Sequence, residues 1–422
     1  MRGRMRGRIR AMAAVDAQLF WLSAKVPNDQ FLLYAFGGTP ADIEAAVGGV
    51  RGRAGRCPEL GLRAADNSRW RYPRWEPRPI TDEQFRVHDG AGQSWQECLD
   101  AVARLPQLDG TGAPWRVHVF PRVAGIPGGV EGSVVLVQIS HALGDGTRSA
   151  ALAATLLGRR QPPPPVGPPD RGVLLWRAGV AAREHRRLMR EIDAGSADPP
   201  GVPRPRLSVN AGPRRAAVVR TLVVDRARLP GRTVTVGALV AIADALGGYL
   251  TRRGEDIGRL GAEVPISHGG YLQAHNNFRS VGVDLHPELS RVGRADRIAA
   301  QLTSHRRRGE HPALRASARA FASVPAPVLR WGVGQFDPSA RPGAVSGHTV
   351  VSSVNRGPAD LVFGGHRVLF TAGYPALSPV MGLTHGVHGI GGTVAISVHA
   401  DPTVVDIEDY LDRLADALGR RS

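Results

Sequence analysis

Gly132-Ser-Val-Val-Leu-Val-Gln-Ile-Ser-His141-Ala-Leu-Gly-Asp145-Gly-Thr-Arg-Ser-Ala-Ala-Leu-Ala-Ala-Thr-Leu-Leu-Gly158 holds a strand, a polar loop and a helix in succession. Residues 134–139 are nearly all apolar and rich in β-branched side chains, the pattern of a strand buried on both faces. Residues 148–157 are mostly Ala and Leu, good helix formers, and Gly158 suits the position just past a helix end. Between them, residues 140–146 bring together a hydroxyl, an imidazole, a carboxylate and two glycines. His141 therefore stands where a buried strand ends and the chain turns toward a helix, a place where α/β proteins put chemistry. A neutral imidazole can take a proton from a hydroxyl at physiological pH. Asp145 is too close in sequence to be assumed the partner of His141, and is expected to pair with an arginine and hold the loop. Gly146 is expected to permit a turn that a Cβ resists. Spacing alone also fits a strand-end histidine that precedes Asp-Gly, a common turn dipeptide.

The rest of the chain gives this stretch a setting. Its 422 residues suggest two domains, and 42% hydrophobic content supplies real cores. The net charge is +17, yet Lys25 is the single lysine. So much arginine beside Ala, Gly and Pro points to codon bias. No aromatic-basic interleaving supports a nucleic-acid partner. A basic surface does favour CoA phosphates and anionic headgroups. Cys57 and Cys98 have no metal-like spacing and fit a reducing compartment. No apolar run comes near the ~18 residues of a membrane span. Residues 1–10 are basic without the apolar centre of a secretory signal. They suggest a disordered arm, or an early start with Met12 the true one. The expectation is a cytoplasmic protein that touches the inner membrane face or a lipid-droplet surface from that side.

Further elements follow from periodicity. Strands are expected at 31–36, 69–75, 113–120, 214–220, 382–390 and 393–400, the last two joined through Gly391-Gly392. Helices are expected at 40–53, 94–105, 173–192, 233–250 and 407–418. Six prolines in residues 161–170 make an extended spacer. The helix at 173–192 is amphipathic and basic. It suits a membrane surface, or packing on the body with its arginines in water. The segmentation is thus 1–160, a linker at 161–212 and 213–422.

His141-Ala-Leu-Gly-Asp145-Gly146 matches the His-x-x-x-Asp-Gly motif of the CoA-dependent acyltransferase superfamily. From about Val15 to about Ala417 the chain resembles the bacterial wax ester synthase/diacylglycerol acyltransferase family. The likeness runs through Val15-Asp16-Ala17, and through Ala113-Pro114-Trp115, which is similar to the family's Pro-Leu-Trp. It continues through the helix at 233–250, through Val264-Pro265-Ile266-Ser267 and Asn276-Asn277, and through Val-Ser-Ser-Val-Asn-Arg-Gly-Pro at 351–358, similar to Ser-Asn-Val-Pro-Gly-Pro. Two departures stand out. Ser140 replaces the first residue of the family's His-His doublet. Thr235-Val236 stands where the family has Asn-Asp, a pair assigned to its active-site region.

The resemblance implies an α/β fold of two similar mixed-sheet halves, of the chloramphenicol acetyltransferase-like type, with the active site between them. Acyl-CoA and the acceptor would enter a tunnel from opposite faces. His141 would deprotonate the acceptor hydroxyl, with Asp145 and Gly146 supporting the loop. Ser140, Trp115, Asn277, Ser353 and Asn355 would line the substrate site, a Ser or Asn of the 351–358 segment donating to the oxyanion. Asp16 could cap a short helix. No metal and no cofactor are implied, acyl-CoA being a co-substrate. The product would be a triacylglycerol or wax ester, from a diacylglycerol or long-chain alcohol. The alternatives are a non-catalytic lipid or acyl-CoA binder of the same fold, and an enzyme taking a carrier-protein thioester.

Overall fold

The computed structural model describes residues 9–88, 93–212, 217–268 and 273–419. The apolar run at 134–139 forms the inner part of a longer strand, Val130–Ile139, buried from Gly132 onward. Being apolar on both faces, it takes neighbours on both edges and layers on both sides. Gln30–Phe36 and Trp115–Ile126 flank it, both antiparallel. Phe85–Val87 extends the sheet in parallel beside Trp115–Ile126.

The second sheet has the same strand number and the same mixed character. Its order is Phe278–Asp284, Gly261–Ser267, Thr349–Asn355, Leu383–Ile390, Thr393–Ala400, Val218–Asp225. The expected hairpin at Gly391-Gly392 is present. Ile390 pairs with Thr393, and Gly391 takes the positive φ of 56° that such a tight turn requires. Of the expected strand at 214–220, residues 214–216 lie outside the described residues, and the strand runs Val218–Asp225.

The sheets do not divide where the sequence does. Val362–Phe363 and His366–Gly373, from the second half, complete the first sheet, His366–Gly373 pairing antiparallel with Gln30–Phe36. The Thr371 hydroxyl donates to Leu33 O at 2.7 Å. Arg159, at the end of the first half, donates to Arg356 O and Pro358 O at 2.8 Å each. The division 1–160, 161–212 and 213–422 therefore describes the chain's course but not its sheets. A strand's partner is set by apolar faces that meet in space, and the Pro-rich spacer does not limit which faces those are.

The helix Val234–Arg252 is, among the described residues, long and apolar enough to cross a membrane, which the linear reading did not bring out. Most of it, 72% of its apolar window, is buried within the protein. It lies beside Ile407–Ala417, the closing helix. The basic helix, Leu174–Asp193, packs on Pro312–Ala322, so the packed alternative holds for its body. Its first turn leaves Leu175 and Trp176 exposed. Arg10, assigned to a free arm, is paired: it bridges to Trp75 in a short ladder and donates to Val166 O at 3.0 Å. The remainder of that arm, residues 1–8, lies outside the described residues.

Candidate active site

The loop after Ile139 is built from its own backbone needs. Ser140 N donates to Pro114 O at 2.8 Å, and residues His141–Leu143 make one tight helical turn. Asp145 then caps the helix Gly146–Leu156, its Oδ1 accepting from Arg148 N at 2.9 Å. Its Oδ2 accepts from Asn277 N at 3.0 Å, across the junction of the two halves. Among the described residues no arginine side chain pairs with Asp145, whose two carboxylate oxygens take backbone amide donors instead. The nearby Arg148 turns away to Glu59 and Pro164 O, at 2.7 Å each. Gly146 is needed for space rather than for a turn. A Cβ there would stand 3.0 Å from Val354 Cγ2, which belongs to the other sheet.

His141 is fixed by the other half of the molecule. Its Nδ1 lies 2.8 Å from Asn276 Oδ1. The orientation of that amide follows from its partners. Asn276 Nδ2 donates to His141 O at 2.8 Å and to Asp16 Oδ1 at 2.9 Å, and both accept only. Oδ1 must then face Nδ1, so Nδ1 carries the proton and Nε2 keeps its lone pair. Asp16 is the anchor. It accepts from His275 N and Asn276 N at 2.9 Å each, in addition to the Asn276 side chain. It is buried inside the helix Ala14–Leu22 and does not cap it, since Ala13 holds the cap position. Burial pushes Asp16 up to about 6, against the pull of those donors. Burial holds the His141 imidazole below its ordinary value, which keeps it neutral and basic at physiological pH.

A cavity of about 290 Å³ opens beside His141, between the two sheets. The Phe278 ring lies 5.4 Å from the imidazole, centroid to centroid. Ser353 faces the cavity, and its hydroxyl is 2.8 Å from Thr235 Oγ1. Thr235, standing where the family motif has Asn-Asp, is thus in contact with the site. Asp29 also reaches the cavity, its Oδ2 accepting from Leu108 N and Gln138 Nε2 at 2.7 Å each. Burial pushes its carboxyl up to about 6.

Of the residues assigned to this site, His141, Asp145, Gly146 and Ser353 border the cavity. Four others do not. Trp115 is fully buried, with Nε1 on Leu60 O at 2.8 Å and its ring edge-on to Phe85. It is a core residue because its strand position faces the helical layer. Ser140 is buried away from the cavity, next to Gly110, as strand alternation from 141 requires. Asn277 acts through its backbone N–H on Asp145 and sends its amide to His268 O. Asn355 is exposed and closes a turn by accepting from Gly357 N at 3.0 Å. The residues the sequence did not single out are Asn276 and the anchoring role of Asp16. Alternation carried the signal. Asn276 and Phe278 share one side, and Phe278 is the ring beside His141.

The comparisons with known proteins bear on the fold. The WS/DGAT C-terminal domain model matches residues 276–420. That stretch of the chain is similar to the WS/DGAT C-terminal domain. The match begins at Asn276, the residue that fixes His141. Over the whole length, the fold is that of the wax ester synthase/diacylglycerol acyltransferase from Marinobacter aquaeolei VT8. The two are 19% identical with a TM-score of 0.59, over 97% of this chain and 98% of that one. It is also similar to a variant of the starter condensation domain of rhizomide synthetase RzmA in complex with C8-CoA and Leu-SNAC. There the identity is 15% and the TM-score 0.55, over 97% of this chain and 93% of that one. No curated protein sequence matches the chain. The matched stretch therefore supplies part of the cavity's second wall and the amide that orients the His141 imidazole. His141 itself lies outside it.

Proposed function

We propose that the protein is an acyl-CoA-dependent O-acyltransferase with His141 as its general base. The observation that carries this is the Asp16–Asn276–His141 chain of hydrogen bonds, which leaves Nε2 unprotonated at a cavity between the halves. Asn276 does for the imidazole what a carboxylate does in a hydrolytic triad, fixing tautomer and ring plane, but adds no charge. The Nε2 lone pair takes the acceptor hydroxyl proton as its oxygen attacks the thioester carbonyl. The tetrahedral intermediate collapses, the carbon–sulfur bond breaks, and the imidazolium returns the proton to the CoA thiolate. Ser353, facing the cavity with Thr235 behind it, is the side chain we assign to donate to the oxyanion.

The family resemblance supports a fatty acyl-CoA as the donor and a diacylglycerol or long-chain alcohol as the acceptor. Such substrates favour work at a membrane surface on the cytoplasmic side. Trp70, Trp176 and Trp331 support that placement, being 80%, 69% and 67% exposed. Their segments are tied together by Tyr72 on Val324 O and Arg177 on Arg319 O. Exposed tryptophan beside arginine suits a headgroup layer.

The test is turnover of a long-chain acyl-CoA with hexadecanol and with a diacylglycerol, with circular dichroism on each variant. His141→Ala should lower the rate by roughly 10²–10⁴ while the protein stays folded. A folded His141→Ala protein with wild-type turnover would leave the binder reading in its place.

A further inference from the structure

We propose that Arg356 is an anion-binding residue of the cavity, and that the substrate it receives carries a carboxylate. The inference rests on the acyltransferase reading for the acceptor's hydroxyl, but the anion site stands on its own geometry.

Arg356 is 95% buried and lines the same cavity as His141. A guanidinium keeps its charge in a protein interior. An uncompensated buried cation is costly, so its neighbours are informative. Nη1 donates to Ala372 O at 2.8 Å and to the Thr371 hydroxyl. The guanidinium carbon lies 5.3 Å over the Tyr34 ring. Nε has no partner. The ionisable groups that favour its charge are the Tyr34 and Tyr374 phenols, which are neutral at physiological pH. No Asp or Glu among the described residues forms an ion pair with it. Asp29, which also reaches the cavity, is held by Leu108 N and Gln138.

His388 stands beside Arg356 at the cavity wall, held neutral by burial and with Nδ1 unpartnered. Space for the pair comes from Gly373, where a Cβ would stand 2.7 Å from both Arg356 Nη2 and His388 Cε1. The pair thus offers a full positive charge and a neutral imidazole at a cavity wall, with the counter-charge missing. Matched on its Gly-Pro, the segment 351–358 has Arg356 where the wax ester synthase motif has proline. The cation is therefore a departure of this chain from that pattern.

An anion here could be a carboxylate or a CoA phosphate. The two are told apart by probing a short hydroxy acid and CoA on the same variants.

The experiment uses the full-length chain and two probes, β-hydroxyhexanoate and its methyl ester. Calorimetric titration should show the acid binding wild type at least tenfold more tightly than the ester. Arg356→Met should erase that preference, and Arg356→Lys should keep part of it, while CoA affinity stays unchanged in both. With acyl-CoA present, the acid should exceed its ester in kcat/KM for wild type, and lose that lead in Arg356→Met. Equal binding of acid and ester by wild type overturns the proposal. So does an unchanged preference in folded Arg356→Met. A tenfold loss of CoA affinity in Arg356→Met, with no acid binding by wild type, assigns the cation to the donor and also overturns it. If Arg356→Met does not fold, the wild-type preference and the lysine variant decide. Tight acid binding without transfer to any acceptor sustains the anion site and defeats the acyltransferase reading instead.

Discussion

The two segments that meet at the site are opposite in kind. Residues 140–146 hold His141, the proposed base, on a loop that its own strand and helix define. His275, Asn276 and Asn277 do not border the cavity, yet they decide what His141 can do. Asn276 sets its tautomer, His275 O accepts from Asp145 N, and Asn277 N donates to the Asp145 carboxylate. The loop keeps its shape through local hydrogen bonds, whereas the second segment acts only where the two halves dock. The proposed chemistry therefore depends on the junction, and changes on its two sides should have separable effects.

The largest effect after loss of the base itself should come from Asn276→Ala. It frees the imidazole to adopt the other tautomer and should cost about 10²-fold in kcat, with KM for acyl-CoA little changed. Next is Asp145→Ala, which removes a helix cap and leaves Asn277 N unpaired, for a loss of about 2–4 kcal/mol of stability. Chemical denaturation reads it, and an unchanged midpoint with lost activity would deny Asp145 its structural role. Smaller again is the pH response. His141 works unprotonated, so activity is present above its folded pKa and lost as pH falls through it. Burial places that acid limb below the ordinary 6.5, and protonation of Asp16 near 6 reinforces it. Asn276→Asp sets a carboxylate against Nδ1–H and should move the limb upward by about one unit or more. The smallest effect belongs to Ser140→Ala, less than about threefold in rate, because position 140 faces away from the cavity. A dead Ser140→Ala enzyme would move the chemistry to the serine.

The same contrast explains what the sequence made visible. The strand, loop and helix around His141 were legible because their determinants are contiguous: a β-branched run, a polar turn, an Ala-Leu helix closed by Gly158, whose φ is +105°. The choice of Asn277 over Asn276 failed for a physical reason. Both are polar at a strand start, and only the side on which each falls tells them apart. Trp115 was placed near substrate by its motif, but its environment is set by a helical layer far away in sequence. Arg356 gave no signal in a chain so rich in arginine. Its meaning lies in the carboxylate that is not beside it, and only the folded structure shows that.

The strand His366–Gly373 has a consequence for synthesis. Thr371 reaches Leu33 across 338 residues of chain. At about 5–20 residues per second, the ribosome needs roughly 17–70 s to make the second after the first. For that interval Gln30–Phe36 lacks its outer neighbour and presents an unpaired apolar edge, a template for wrong pairing. The first sheet is thus the first to begin and among the last to be completed. A nascent chain stalled before residue 366 should be held by chaperones or lost to aggregation, however well residues 1–160 fit together.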